Sequence, residues 1–166
     1  MAQRTLVELM ATNPEGTLED IAKRYQVSLF DVIQVMSGTT IVSGQHFDQI
    51  WDEITTWGEI TLLVNTADII FEYHGQLPSG FHRHGYFNLR GKNNLSGHIK
   101  TEHCQHIAFI ERPFMGMDTA SILFLNKVGE AMFKIFVGRD AHRQLQADQL
   151  VAYHQLAIHF KTKVKQ

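Results

Sequence analysis

Three runs decide the fold: Gln105-His106-Ile107-Ala108-Phe109-Ile110-Glu111, Thr119-Ala120-Ser121-Ile122-Leu123-Phe124-Leu125-Asn126 and Ala131-Met132-Phe133-Lys134-Ile135-Phe136-Val137. Each is short, rich in β-branched and aromatic residues, and separated from the next by turn residues, which is the pattern of an antiparallel meander. Working upstream, Leu95 to Glu102 reads as another strand, and Tyr86 to Leu89 starts one before the turn Gly91-Lys92-Asn93-Asn94. Ile60 to Thr66 and Asp68 to His74 are separated by almost nothing, as in a tight hairpin, and Leu77-Pro78-Ser79-Gly80 turns the chain after them.

Outside this β-rich block the period changes to that of helices. Thr5 to Asn13 places Leu6, Leu9 and Met10 on one face, and Asn13-Pro14-Glu15-Gly16 breaks it. Thr17-Leu18-Glu19-Asp20 and Ser28-Leu29-Phe30-Asp31 each set a hydroxyl three residues before an acid, the capping-box relation. The stripes Leu18, Ile21, Ala22, Tyr25 and Leu29, Val32, Ile33, Met36 follow, giving a helix-turn-helix-like outline. Beyond Gly38, Thr39 to Val42 is extended, and His46 to Trp57 is helical through Phe47, Ile50, Trp51 and Ile54. From Asp140 the chain reads as a helix lying across the sheet on Ala147, Leu150, Val151, His154, Ala157 and Ile158, with a tail of Lys161, Lys163 and Lys165. The expected class is α+β in a single domain, residues 1–166, with a helical segment at 1–38 and the sheet with flanking helices at 39–166.

Composition narrows the function. With 44% hydrophobic residues, 19% charged and a net charge of -2, the chain is neither disordered nor drawn in bulk to nucleic acid or an anionic membrane. Ser28 to Ser37 holds no Lys or Arg, so the second helix of the pair lacks what phosphate contact and guanine readout require, and no nucleic-acid partner is expected. A single cysteine forbids an intrachain disulfide and suits a reducing compartment. No run approaches the length of a membrane span, so a cytoplasmic protein without membrane insertion is expected.

The chain carries 10 His, and few fall in a recognised pattern. His82-Arg83-His84 sets two imidazoles on one side of an extended segment, a metal site only if a third ligand converges. His98, His103, Cys104 and His106 match no zinc spacing and read as surface or turn residues, Cys104 as an inert, partly buried thiol, and His154 as a core histidine with one hydrogen bond. No nucleophile elbow, dinucleotide fingerprint, phosphate loop or zincin motif is present, so no catalytic residue is assigned and no enzyme is expected. One coherent surface remains: alternation puts Ser96, His98, Lys100 and Glu102 on one strand face. Heme uses such a mixture, with an axial donor for iron, apolar walls for the macrocycle and cations for the propionates. Met115 and Met117 offer adaptable walls or a thioether ligand, or ordinary packing.

Pro78-Ser79-Gly80-Phe81-His82-Arg83-His84-Gly85-Tyr86-Phe87-Asn88-Leu89-Arg90-Gly91, Ser96-Gly97-His98-Ile99-Lys100 and Phe114-Met115-Gly116-Met117-Asp118-Thr119-Ala120-Ser121-Ile122-Leu123-Phe124 resemble the intracellular heme-utilization carriers of the HutX/ChuX family. Glu15 to Glu19 and the segment Gly138 to Leu145 match as well, so the resemblance spans nearly the whole chain. It implies a cytoplasmic homodimer of a bacterial heme-uptake and iron-acquisition system that receives, stores or carries imported heme and transfers it to a heme-degrading partner. Carried over by position, the resemblance implies that His98 is the axial iron ligand. The resemblance to one close relative implies a second heme-site histidine just before Thr66-Ala67-Asp68, where this chain has Asn65. Asn is a poor iron ligand, so the second axial position falls to water, to a Met or Tyr, or to the other subunit, while Asn65 hydrogen-bonds a ligand or a propionate. The expected heme-binding set is thus His98, Asn65, Lys100, Met115 and Met117; His82 and His84 are left unassigned. Gly80, Gly85 and Gly91 read as positions of unusual backbone angle. The alternative is an enzyme that degrades or modifies heme.

Overall fold

The computed structural model describes residues 2–91 and 95–164, with side chains as far as Lys161. Residues 92–94 of the turn expected after Gly91, Lys165 and the side chain of Lys163 lie outside the described residues. Three short helices come first: α1 (Leu6–Met10), α2 (Leu18–Tyr25) and α3 (Leu29–Gln34). Each starts where a hydroxyl takes up an orphan amide, Thr5 from Glu8, Thr17 from Asp20 and Ser28 from Asp31, and Asp31 returns the bond to the Ser28 amide. Strand β1 (Thr40–Ser43) and one 3-10 turn lead into α4 (Phe47–Ile54), whose four expected core residues are all buried. Then follow β2 (Glu59–Asn65), β3 (Ile70–Gln76), β4 (Ser79–Arg83), β5 (Tyr86–Arg90), β6 (His98–Ile99), β7 (Cys104–Phe114), β8 (Met117–Asn126), β9 (Ala131–Phe136) and α5 (Ala147–Val164).

All strand pairs are antiparallel, and the class is α+β as expected, but the strands divide into two sheets. The larger runs β1-β7-β8-β9-β2-β3, and β4-β5-β6 forms a small sheet of its own. The three runs that opened the reading lie side by side in the larger sheet, and the β2–β3 hairpin docks beyond β9. Because side chains alternate along a strand, the large sheet has two apolar faces. Ala108, Ile110, Leu123 and Leu125 pack under α1, α2 and α3. Ile107, Phe109, Ile122, Phe124 and Ile135 pack under α4, α5 and the small sheet. The helix-turn-helix-like pair is therefore a cover for the sheet.

Several local expectations change. The strand expected over Leu95–Glu102 shrinks to His98–Ile99, because the His103 amide closes a 3-10 turn on the Lys100 carbonyl at 3.0 Å. The segment expected to turn at Ser79-Gly80 instead enters β4, fixed by the Trp51 indole N–H, which donates to the Pro78 carbonyl at 2.8 Å. His84 does not share a strand side with His82. It sits with Gly85 in the β4–β5 turn at φ +56° and +80°, the pair of left-handed residues that a two-residue hairpin loop takes. Gly80, by contrast, has no positive φ; a Cβ there would lie 2.4 Å from the Phe87 ring, so close packing is what requires glycine.

The last helix starts at Ala147 rather than Asp140. The Asp140 carboxylate accepts from the amides of His142 and Gln144 at 2.8 and 3.0 Å and Arg143 takes φ +61°, which holds the segment as a loop. Its buried face is also rotated from the expected one. Gln149, Tyr153, Leu156 and Phe160 are buried, whereas Val151 and Ile158 are 55% and 60% exposed. Two anchors set this rotation: the Tyr153 hydroxyl donates to the Ser121 carbonyl, and Gln149 accepts from the Gly138 amide while donating to the Glu59 carbonyl. His154 keeps one hydrogen bond, to Glu111 at 2.7 Å, but is half-exposed and outside the core.

Candidate functional site

The small sheet carries the central imidazole. In its register Asn88 on β5 stands opposite Phe81 on β4 and His98 on β6. Tyr86, Asn88 and His98 thus share one face, while Phe87, Leu89 and Ile99 share the other. Phe87 is buried with its ring edge-on to Phe47 at 5.5 Å and to Trp51 at 5.4 Å, which pins the sheet to α4. On the His98 face, Nδ1 lies 2.5 Å from the Asn88 Oδ1, the Tyr86 ring meets the imidazole edge-on at 5.8 Å, and the Lys100 ammonium sits 5.3 Å above that ring. Among the described residues this is the hydrogen bond His98 makes, and Nε2 carries none.

His98 and Lys100 border a cleft of about 400 Å³ between the two sheets, walled by Leu62, Val64, Leu89, Leu95, Met132 and Phe133, with His103 at its edge. Glu102, expected beside His98, is carried away by the 3-10 turn into a separate polar hollow with Asp48, His82 and Cys104. There His82 and Asp48 pair at 2.7 Å, and burial pushes the Cys104 thiol up to about 12, which keeps it protonated and unreactive. Among the described residues no three His, Cys, Asp or Glu side chains gather as a metal site. His106 stacks on Phe30 at 4.2 Å, a packing role.

Asn65 is not in the His98 cleft. Leu62 and Val64 face that cleft, so Leu63 and Asn65, one residue out of phase, face the opposite side of the sheet. Asn65 lines a cavity of about 230 Å³ under α2, together with Arg112, Ser121 and the Lys134–Glu19 ion pair. Arg112 donates to Asn13 Oδ1 and to the carbonyls of Pro14 and Gly16, and burial lowers its pKa from the usual guanidinium value while the charge of Glu19 opposes that shift. Met115 is 86% exposed at the tip of the β7–β8 hairpin, with φ +52°, and Met117 opens β8; neither borders the His98 cleft. Of the five expected residues the fold brings together His98 and Lys100. Asn88, Tyr86 and Met132 were not singled out from the sequence. The first two lie in the run Pro78 to Gly91, and pairing its strand with that of His98 places both beside the imidazole.

An α+β sandwich with a histidine-edged apolar cleft is the class that the fold and site define. The chain belongs to the Haem utilisation ChuX/HutX family, whose model matches residues 40–156. It is 31% identical over 154 residues to the intracellular heme transport protein HutX of Vibrio cholerae, covering 91% of this chain and 80% of that protein. It is similar to a structure described as the heme binding protein ChuX, with 57% identity, a TM-score of 0.91, and 95% of this chain and 99% of that one covered. A protein from Erwinia carotovora matches at 60% identity and a TM-score of 0.93, over 95% and 99% of the two chains.

Proposed function

We propose that this chain is a cytoplasmic heme carrier that binds imported heme through His98 and releases it to a heme-degrading partner. The observation that carries the reading is one imidazole, its Nε2 without a hydrogen bond among the described residues, on a strand that edges an apolar cleft, beside a lysine, in a chain of a heme-utilisation family. The donor set fits the cargo. A neutral imidazole nitrogen suits iron, leucine, valine, methionine and phenylalanine side chains suit the macrocycle, and Lys100 suits a propionate. A cleft of about 400 Å³ lies within the roughly 300–1,000 Å³ usual for small-molecule sites. Among the described residues no helix is long and apolar enough to cross a membrane.

A second copy of the chain is the proposed partner in a homodimer. Strand β3 lies at the end of the large sheet, and Ile70 and Phe71 on it are 61% and 66% exposed, a surface that pairing would cover. Sedimentation at only 19.0 kDa would refute the dimer.

Titration with hemin, followed by absorbance in the wild type and in His98→Ala, tests the carrier reading. A Soret band that saturates near one equivalent and is lost or shifted in the variant is expected. Equal, unsaturable binding in both removes His98 from the site. Incubating the complex with a reductant and oxygen separates carrier from enzyme: heme recovered intact supports the carrier, and bilin formed faster than from free heme overturns it.

A further inference from the structure

We infer that Asn88 is a positioning residue for His98, holding the imidazole in the tautomer that leaves Nε2 free to bind iron. This rests on the reading of His98 as the iron ligand but makes a claim about the protein before heme arrives. The Asn88 amide nitrogen lies 3.2, 3.1 and 3.1 Å from the carbonyl oxygens of Phe81, Arg83 and Tyr86. Three carbonyls accept and cannot donate, so the NH2 end must face them; a flipped amide would set oxygen against three oxygens. With the nitrogen so placed, Oδ1 points to His98 Nδ1 at 2.5 Å, and an amide oxygen can only accept there. The proton of a neutral His98 therefore sits on Nδ1, and Nε2 keeps its lone pair. The hairpin makes the constraint rigid. His84 and Gly85 turn the chain so that the Arg83 and Tyr86 carbonyls converge on Asn88, and Phe87, next in sequence, is locked in the core. Metal-bound histidines commonly owe tautomer and ring orientation to such an acceptor on the other nitrogen.

The test separates acceptor from staple. Asn88→Asp keeps an acceptor for Nδ1 and loses the donors to the carbonyls; Asn88→Ala loses both. Long-range proton–nitrogen NMR on the ¹⁵N-labelled heme-free protein at about pH 8.5, well above the ordinary imidazole value of about 6.5, reads the His98 tautomer directly. The wild type and Asn88→Asp are expected to show Nδ1–H, and Asn88→Ala to shift toward Nε2–H. Hemin titration should then show affinity falling about 10-fold or more in Asn88→Ala, with partial or full rescue in Asn88→Asp. An Nε2–H tautomer in the wild type overturns the inference, and needs no variant to fold. Equal affinity loss in Ala and in an Asp variant that still shows Nδ1–H overturns it too, since the tautomer then makes no difference to heme and Asn88 is reduced to a hairpin staple. An Nδ1–H wild type whose heme spectrum is unchanged by His98→Ala instead refutes the reading of His98 as ligand, and with it any heme role for Asn88.

Discussion

Gly80→Ala places a methyl group where the structure has no room for it. The added Cβ would lie 2.4 Å from both Cε2 and Cζ of Phe87 and 3.0 Å from the Asn88 carbonyl oxygen. Ordinary carbon contacts are about 3.5–4.0 Å, so the ring must retreat by about 1 Å or β4 must part from β5. Phe87 is 2% exposed and packed against Phe47, Trp51 and His82, so its retreat disturbs those contacts. Overpacking of this kind costs about 1–3 kcal/mol, and the pairs with Phe47 and Trp51 add about 0.5–1.5 each where spoiled, so the expected loss is about 2–6 kcal/mol. That is a large share of the roughly 5–15 kcal/mol stabilising a typical domain. Urea unfolding monitored by tryptophan fluorescence measures it, since Trp51 touches the displaced ring. Gly80→Ala combined with Phe87→Leu should recover at least about 1 kcal/mol relative to additivity, because the shorter side chain vacates the contested volume. A single variant within about 0.5 kcal/mol of wild type, or costs that simply add, would refute the packing argument. Because β5 also carries Asn88, the same variant should weaken hemin binding.

Arg112→Met keeps the side-chain stem but deletes three hydrogen bonds that hold the α1–α2 loop against β7. The acceptors lie on a largely exposed loop and regain water, so about 2–4 kcal/mol should be lost in urea unfolding, with faster proteolysis of residues 11–17. Cys104 is raised to about 12 by burial, against about 8.5 in the unfolded chain. Its contribution to stability is therefore complete below about pH 8.5 and lost as pH rises toward 12, so the pH-dependent loss of stability across that window should be shallower in Cys104→Ala. Iodoacetamide should label Cys104 only after unfolding.

The parts of the fold legible in the sequence are those where one local signal suffices. Ser28 and Asp31 announce α3, and Phe47, Ile50, Trp51 and Ile54 announce the buried face of α4. What escaped is set by long-range contacts. No local pattern tells that the β2–β3 hairpin docks beyond β9, since the strand order joins β9 to a strand about 70 residues earlier in the chain. The rotation of α5 escaped for the same reason. Val151 and Ile158 read as core by hydropathy, yet Gln149 is buried because the Gly138 amide and the Glu59 carbonyl need it. A polar residue that satisfies two backbone groups outweighs two aliphatic ones that have no cavity to fill.

Position 65 shows how far a family motif carries and where geometry takes over. The resemblance implies a heme-binding residue there, whereas strand alternation sets Asn65 toward Arg112 and Lys134 under α2, with the large sheet between it and the His98 cleft. Asn65→Ala should accordingly leave the one-equivalent Soret band and hemin affinity within about twofold of wild type. Asn65→His is the sharper perturbation, because it restores an imidazole at 65 without moving the strand. Within one chain the two imidazoles cannot reach the two faces of one heme, so at one equivalent the spectrum should stay that of His98 alone. A bis-histidyl low-spin spectrum appearing in a species shown to be monomeric would refute the opposite-face arrangement. The same spectrum appearing only as chains associate would mean that a heme held by His98 of one copy meets position 65 of another.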